Sequence, residues 1–142
     1  MNFYVHKMKC LLLLVLVCLT GCGNRNKAQV SCNADFDSFF EKFTSDSVFQ
    51  KKHVDFPIME YYSDEDFPLD MMERMTDEDS FEIIHFDKNA KSSGKPYEIS
   101  IDKKTDSVFC FKKGINNSIN IKYTFVCKKD SWFLVAITDT TD

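Results

Sequence analysis

From Tyr97 onward the chain keeps a period of two. Tyr97, Ile99 and Ile101 alternate with Glu98, Ser100 and Asp102, Val108 to Lys112 makes a second run, and Ile119, Ile121, Tyr123, Phe125 and Cys127 alternate with Asn120, Lys122 and Thr124. Successive side chains of a strand point to opposite faces, so this spacing predicts strands with one buried face. The run from Trp132 to Thr138 is apolar at both parities and is expected inside the sheet. Turn residues at Lys103 to Asp106, Gly114 to Ser118 and Lys128 to Asp130 separate the strands, which reads as an antiparallel meander.

Upstream the period changes to that of a helix. Phe36, Phe39, Phe40 and Phe43 fall at i, i+3, i+4 and i+7, with Asn33 as the expected cap and Asp35 and Asp37 near the positive end. Ser45 or Asp46 is placed to cap a second short turn through Val48, Phe49 and Gln50. His53 to Ile58 reads as extended, with Pro57 confining it to a strand end or a sheet edge. Thr76 to Asp79 resembles a further helix start. One aromatic helix against a curved antiparallel sheet is an α+β domain. With 14 Phe among 142 residues and only 4 Gly and 3 Pro, collagen-like and disordered readings are excluded.

The first residues read as an address. Lys7 and Lys9 precede the apolar run Cys10 to Leu19, which at about ten residues is too short to cross a bilayer that needs about 20. The run ends in Leu19-Thr20-Gly21-Cys22, which looks like the lipobox of bacterial lipoproteins, where the signal peptidase cuts before an acylated cysteine. The expected organisation is a signal peptide over 1–21, a lipidated tether over 22–32 and a single domain over 33–142. Acyl chains on Cys22 would hold the protein to its membrane, because each buried CH₂ contributes about 0.8 kcal/mol. Gly23, where Asp would favour inner-membrane retention, and the absence of acids from Gly23 to Lys27 point to the periplasmic face of the outer membrane. After cleavage, 16 basic side chains face 22 acidic ones, a balance that argues against nucleic acid as partner.

A family resemblance rests on the aromatic positions. Phe36 to Phe43, Phe49-Gln50, Val54 to Pro57, Ile121 to Phe125 and Trp132 to Ile137 resemble a family of uncharacterised Gram-negative lipoproteins with a nuclear transport factor 2-like or cystatin-like fold. The resemblance covers about residues 33–139. It implies a cone-shaped α+β domain and brings no catalytic residues with it, since the shared positions are mostly core aromatics.

Chemistry-bearing residues are sparse. Besides Cys22, the mature chain holds Cys32, Cys110 and Cys127, an odd count. Cys110 and Cys127 lie too far apart along a hairpin about Asn116 to bond, Cys127 reads as a buried thiol, and a bond from Cys32 to either remains open. His53 and Asp55 sit at a spacing that puts both on one face of a strand, either as an acid–base pair or as a solvated edge, and His85 reads as a core or edge residue. Asp87 to Ser92 with Glu98 imitates a calcium loop, but Lys91 takes a ligand position and Ser92 replaces the turn glycine, so no metal or other cofactor is expected. Residues 55–82 hold eleven acids against Arg74 alone, while ten lysines face three acids over 88–129. These stretches are expected either to complement each other within the fold or to present two poles.

The reading that follows is a non-enzymatic, lipid-anchored module binding a small ligand or another envelope protein. The alternative is an isomerase-like or hydrolytic enzyme using a cavity acid/base pair. The ligand site is expected at the open end of the cone, with Tyr123, Phe125 and Trp132 in its wall and Tyr61 or Tyr62 over its mouth. Neighbouring carboxylates would repel anions, so the ligand is expected to be uncharged or cationic.

Overall fold

A computed structural model of the chain describes residues 32–64, 66, 70–87 and 94–141. The signal peptide, Cys22, the tether up to residue 31 and the middle of the calcium-like loop lie outside them.

Two short helices open the domain. α1 spans Phe36–Ser45 and is capped by Asp35, not Asn33: the Asp35 carboxylate accepts from the Ser38 backbone N–H at 2.9 Å, a bond that also holds this carboxyl below its usual pKa. Asp35 lies three residues before Ser38, the spacing at which a side chain reaches an orphan N–H, whereas Asn33 is two residues too early. Asp46 ends α1 and caps α2, Ser47–Lys52, accepting from the Val48 and Phe49 N–H groups at 3.0 Å each. Phe36, Phe39 and Phe43 are buried, and Phe40 is half-buried beside them.

Six strands follow: β1 Val54–Ser63, β2 Met71–Thr76, β3 Tyr97–Lys103, β4 Ser107–Gly114, β5 Asn120–Lys128 and β6 Ser131–Asp139. They form one sheet in the order β2-β1-β6-β5-β4-β3. The meander over β3 to β6 is as expected, but the sheet is mixed, because β1 lies parallel to β6. β6 thus lies inside the sheet, with β5 on one side and β1 on the other.

β1 is therefore an interior strand, and Pro57 is not at an edge. Pro57 falls where the β1–β6 register shifts between Val54 and Met59, just before the first β1–β2 pair, Ile58 with Thr76. Its missing N–H thus removes no ladder bond. Thr76 starts no helix either: it ends the edge strand β2, and Ser80 N–H to Asp77 O at 3.1 Å closes a turn behind it. The other edge strand, β3, buries Tyr97 but leaves Ile99 and Ile101 36% and 38% exposed.

Residues 81–87 have no regular structure and run beside the core. Phe81 meets Phe56 at 5.3 Å between ring centroids, and Phe86 meets Phe40 and Tyr123 at 5.5 and 5.4 Å. Gln50, 1% exposed, holds the segment by its backbone: its Oε1 accepts from Ile84 N–H at 2.6 Å, and its Nε2 donates to Ile84 O and Phe43 O, each at 3.0 Å. The Asp87 N–H donates to the Tyr97 hydroxyl.

Cys32 bonds to Cys127, with Cα atoms 5.6 Å apart. Cys127 is thus a bridge, not a buried thiol. The buried thiol is Cys110, on β4 opposite Tyr123, and its desolvation pushes its pKa up to about 12. The acidic stretch builds β1 and β2 at one edge of the sheet, while the lysine-bearing β3 and β4 lie at the other. Lys128 pairs with Asp55 across the two stretches, but Arg74 pairs with Glu60 inside the acidic one and Lys104 with Asp102 inside the basic one.

Candidate ligand-binding site

Tyr123, Phe125 and Trp132 belong to the buried core, and they do not border the pocket at the β2–β1–β6 end of the sheet. Phe125 is fully buried, with Phe36, Phe39, Phe40 and Phe43 meeting it edge-on at 5.4, 5.9, 6.1 and 5.2 Å. Trp132 sets its ring edge against Phe36 at 5.3 Å, and its indole N–H donates to Ala34 O at 2.8 Å. Burial beside Phe86 raises the Tyr123 hydroxyl pKa. Among the described residues, side chains of α1 pack over this end of the sheet.

The opening lies farther along the same face. Residues directly opposite in a ladder share a face, and the row Cys110–Tyr123–Ile137–Glu60–Arg74 runs from β4 through β5, β6 and β1 to β2. The next row runs Lys112–Ile121–Asp139–Tyr62–Met72. The first members of each row are in or near the core, while Ile137, Glu60 and Arg74 of the first and Asp139 and Tyr62 of the second line a pocket of about 550 Å³.

Four elements build this pocket. β1 gives Glu60, Tyr61 and Tyr62, β2 gives Arg74, Met75 and Thr76, the segment after β2 gives Asp77, Ser80, Phe81 and Glu82, and β6 gives Ile137 and Asp139. Tyr61 and Tyr62 border this pocket, whereas Tyr123, Phe125 and Trp132 do not. Within it, the Arg74 guanidinium donates to Glu60 Oε2 from Nη2 and, at 3.1 Å, from Nε. The same guanidinium lies 5.6 Å from the Tyr62 ring centroid, and the Glu60 carboxylate holds it above its usual pKa. Asp139 accepts from Thr141 N–H at 2.9 Å. Two strands along that row stands Lys112, whose ammonium lies 4.3 Å from the Tyr97 ring centroid. Burial lowers its pKa, and the field of Asp139 opposes that shift.

Other candidates do not gather here. His53 stacks on Phe49 at 3.9 Å with its Nδ1 2.8 Å from Phe49 O, and Asp55 pairs with Lys128, so the two make no acid–base pair. His85 is exposed. Among the described residues no group of three or more His, Cys, Asp and Glu is arranged to hold a metal ion. Glu60, Arg74, Glu82, Ile137 and Asp139 were not singled out as site residues by sequence reasoning. Three of them are acids, which a local pattern cannot distinguish from a solvated face, and Asp139 is 79 positions from Glu60 along the chain.

Among solved structures, the chain is similar to an NTF2-like protein from Bacteroides fragilis, at 21% identity and a TM-score of 0.58, over 78% of this chain and 48% of that one. It therefore spans about half the length of that relative. It is also similar to a cystatin-like protein from Bacteroides caccae, at 18% identity and a TM-score of 0.52, over 74% of this chain and 75% of that one. These likenesses show an NTF2-like fold. No curated protein matches. The family model described as "Domain of unknown function (DUF4348)" matches residues 2–139, nearly the whole chain, and the chain belongs to that family.

Proposed function

We propose that this protein is a lipoprotein anchored through Cys22 at the periplasmic face of the outer membrane, and that its α+β domain is a non-enzymatic module binding a small ligand. The observation that carries the binding reading is the pocket at the β2–β1–β6 end of the sheet. Its volume lies within the ~300–1,000 Å³ usual for small-molecule sites, and the aromatic residues Tyr61, Tyr62 and Phe81 converge there with a larger set of polar and charged residues. Anchoring is supported by the charge-flanked apolar run ending in Leu19-Thr20-Gly21-Cys22. The tether would emerge near the Cys32–Cys127 bond, at the end of the sheet opposite the one where β6 runs into the pocket at Asp139.

Two experiments test this reading. Cys22→Ala, or globomycin treatment of the unmodified strain, is expected to accumulate an uncleaved precursor, and normal processing to a soluble protein would overturn the anchor. A thermal-shift panel of neutral and cationic metabolites is expected to yield a stabilising ligand whose effect is lost in Tyr62→Ala. Turnover of a panel member in place of simple binding would favour an enzyme.

A further inference from the structure

We infer that the occupant of this pocket is an organic cation, an amine or guanidine attached to an aromatic or apolar body. The inference rests on reading the pocket as a ligand site. Its lining carries four carboxylates, Glu60, Asp77, Glu82 and Asp139, against the single guanidinium of Arg74. Arg74 is engaged by Glu60, which leaves the other three to set the field inside the cleft. A cleft lined by an excess of one sign of charge draws a cation in and opposes an anion.

The pocket already holds one cation in the way it would hold another. The Arg74 guanidinium lies 5.6 Å from the Tyr62 ring centroid with the Glu60 carboxylate bonded to it, which combines an aromatic face and a carboxylate on one positive group. Phe81 and Ile137 supply apolar wall for the rest of a ligand. A bare divalent ion is a poorer occupant, because it needs several oxygens converging at about 2.0–2.6 Å, and the described carboxylates form no such group.

Three probes that share a phenyl ring separate the possibilities: phenethylamine, 2-phenylethanol and 3-phenylpropionate, titrated by calorimetry into the purified full chain in detergent. Phenethylamine is expected to bind with a Kd of about 1 mM, a fair affinity for so few atoms. It should bind about tenfold more tightly than 3-phenylpropionate, and added salt should narrow that gap. Glu82→Gln and Asp139→Asn should each weaken the amine about threefold while leaving 2-phenylethanol unchanged, as expected if their charge acts on the cation. Glu82 is exposed and outside the regular elements, so that variant keeps the test valid if Asp139→Asn disturbs β6. Equal or tighter binding of the carboxylate or the alcohol would overturn the cation inference and leave the binding module standing. Failure of all three probes to bind at about 10 mM, ten times the expected Kd, would overturn both.

Discussion

Phe125 and Glu60 stand on the same face of the sheet, in neighbouring rows, and meet opposite environments. Phe125 is enclosed by four phenylalanine rings of α1, whereas Glu60 borders an open cleft and pairs its charge with an exposed arginine. The difference is one of coverage. A helix of 10 residues is about 15 Å long, while six strands at about 4.8 Å spacing span about 24 Å, so α1 cannot roof the whole face. The helices cover one part of it, and the irregular segment over 81–87 closes in beside them where Gln50 holds it. What neither covers becomes the pocket.

The largest effect is expected in the filled end. Phe125→Ala should cost about 3–5 kcal/mol in urea unfolding, because four rings close around the lost side chain and cannot all collapse into the space. The half-buried Phe40 should cost less, about 2 kcal/mol for Phe40→Ala. A loss below about 1 kcal/mol at Phe125 would mean that this end is as loosely filled as the pocket.

Next comes the bridge that fastens the start of the domain to β5. Cys32→Ser should lower stability by about 2–4 kcal/mol, since the bond closes a loop across 95 positions and limits the unfolded chain. Equal midpoints with and without reductant in the unmodified chain would exclude that contribution.

Gln50→Leu probes the boundary between the two ends. It strips Ile84 N–H and two carbonyls of their partner in a buried place, and a loss of about 2 kcal/mol is expected. The substitution should also weaken ligand binding, because Phe81 and Glu82 hang from the same segment.

Alkaline pH should loosen the filled end first. Cys110 is raised from its ordinary value of 9.0 to about 12 by burial, so the folded state binds its proton more tightly than the unfolded state. Its contribution is fully present below pH 9.0 and is lost as pH rises toward about 12. The raised Tyr123 hydroxyl acts in the same direction. Urea midpoints should fall above pH 9.0, less steeply in Cys110→Ala, and an unchanged slope in that variant would show that the thiol does not couple to folding.

The smallest stability effect belongs to the pocket. Tyr62→Leu should change unfolding by no more than about 0.5 kcal/mol, because the side chain is exposed at 37%, while removing the aromatic face for a cation.

Much of the frame was legible because it is written in local periods. The four phenylalanines of α1, the cap at Asp46 and the strands from β4 to β6 follow from spacings of a few residues, which dihedral preference and burial of one face enforce directly. The predicted helix at Thr76 did not form. Thr76 instead pairs with Ile58 at the end of β2, and the Ser80 N–H to Asp77 O bond closes a single turn behind it.

By itself the sequence determined an aromatic helix, a late antiparallel meander and a buried final strand. Each depends on interactions between near neighbours in the chain, so each leaves a pattern that can be read residue by residue. Only the tertiary structure decided that β1 lies parallel to β6, that Cys32 meets Cys127, and that Tyr123, Phe125 and Trp132 are core while Glu60, Arg74 and Asp139 share a pocket. Those pairings join residues tens of positions apart, and their energy comes from which surfaces the short helices leave uncovered, a quantity that no local period contains.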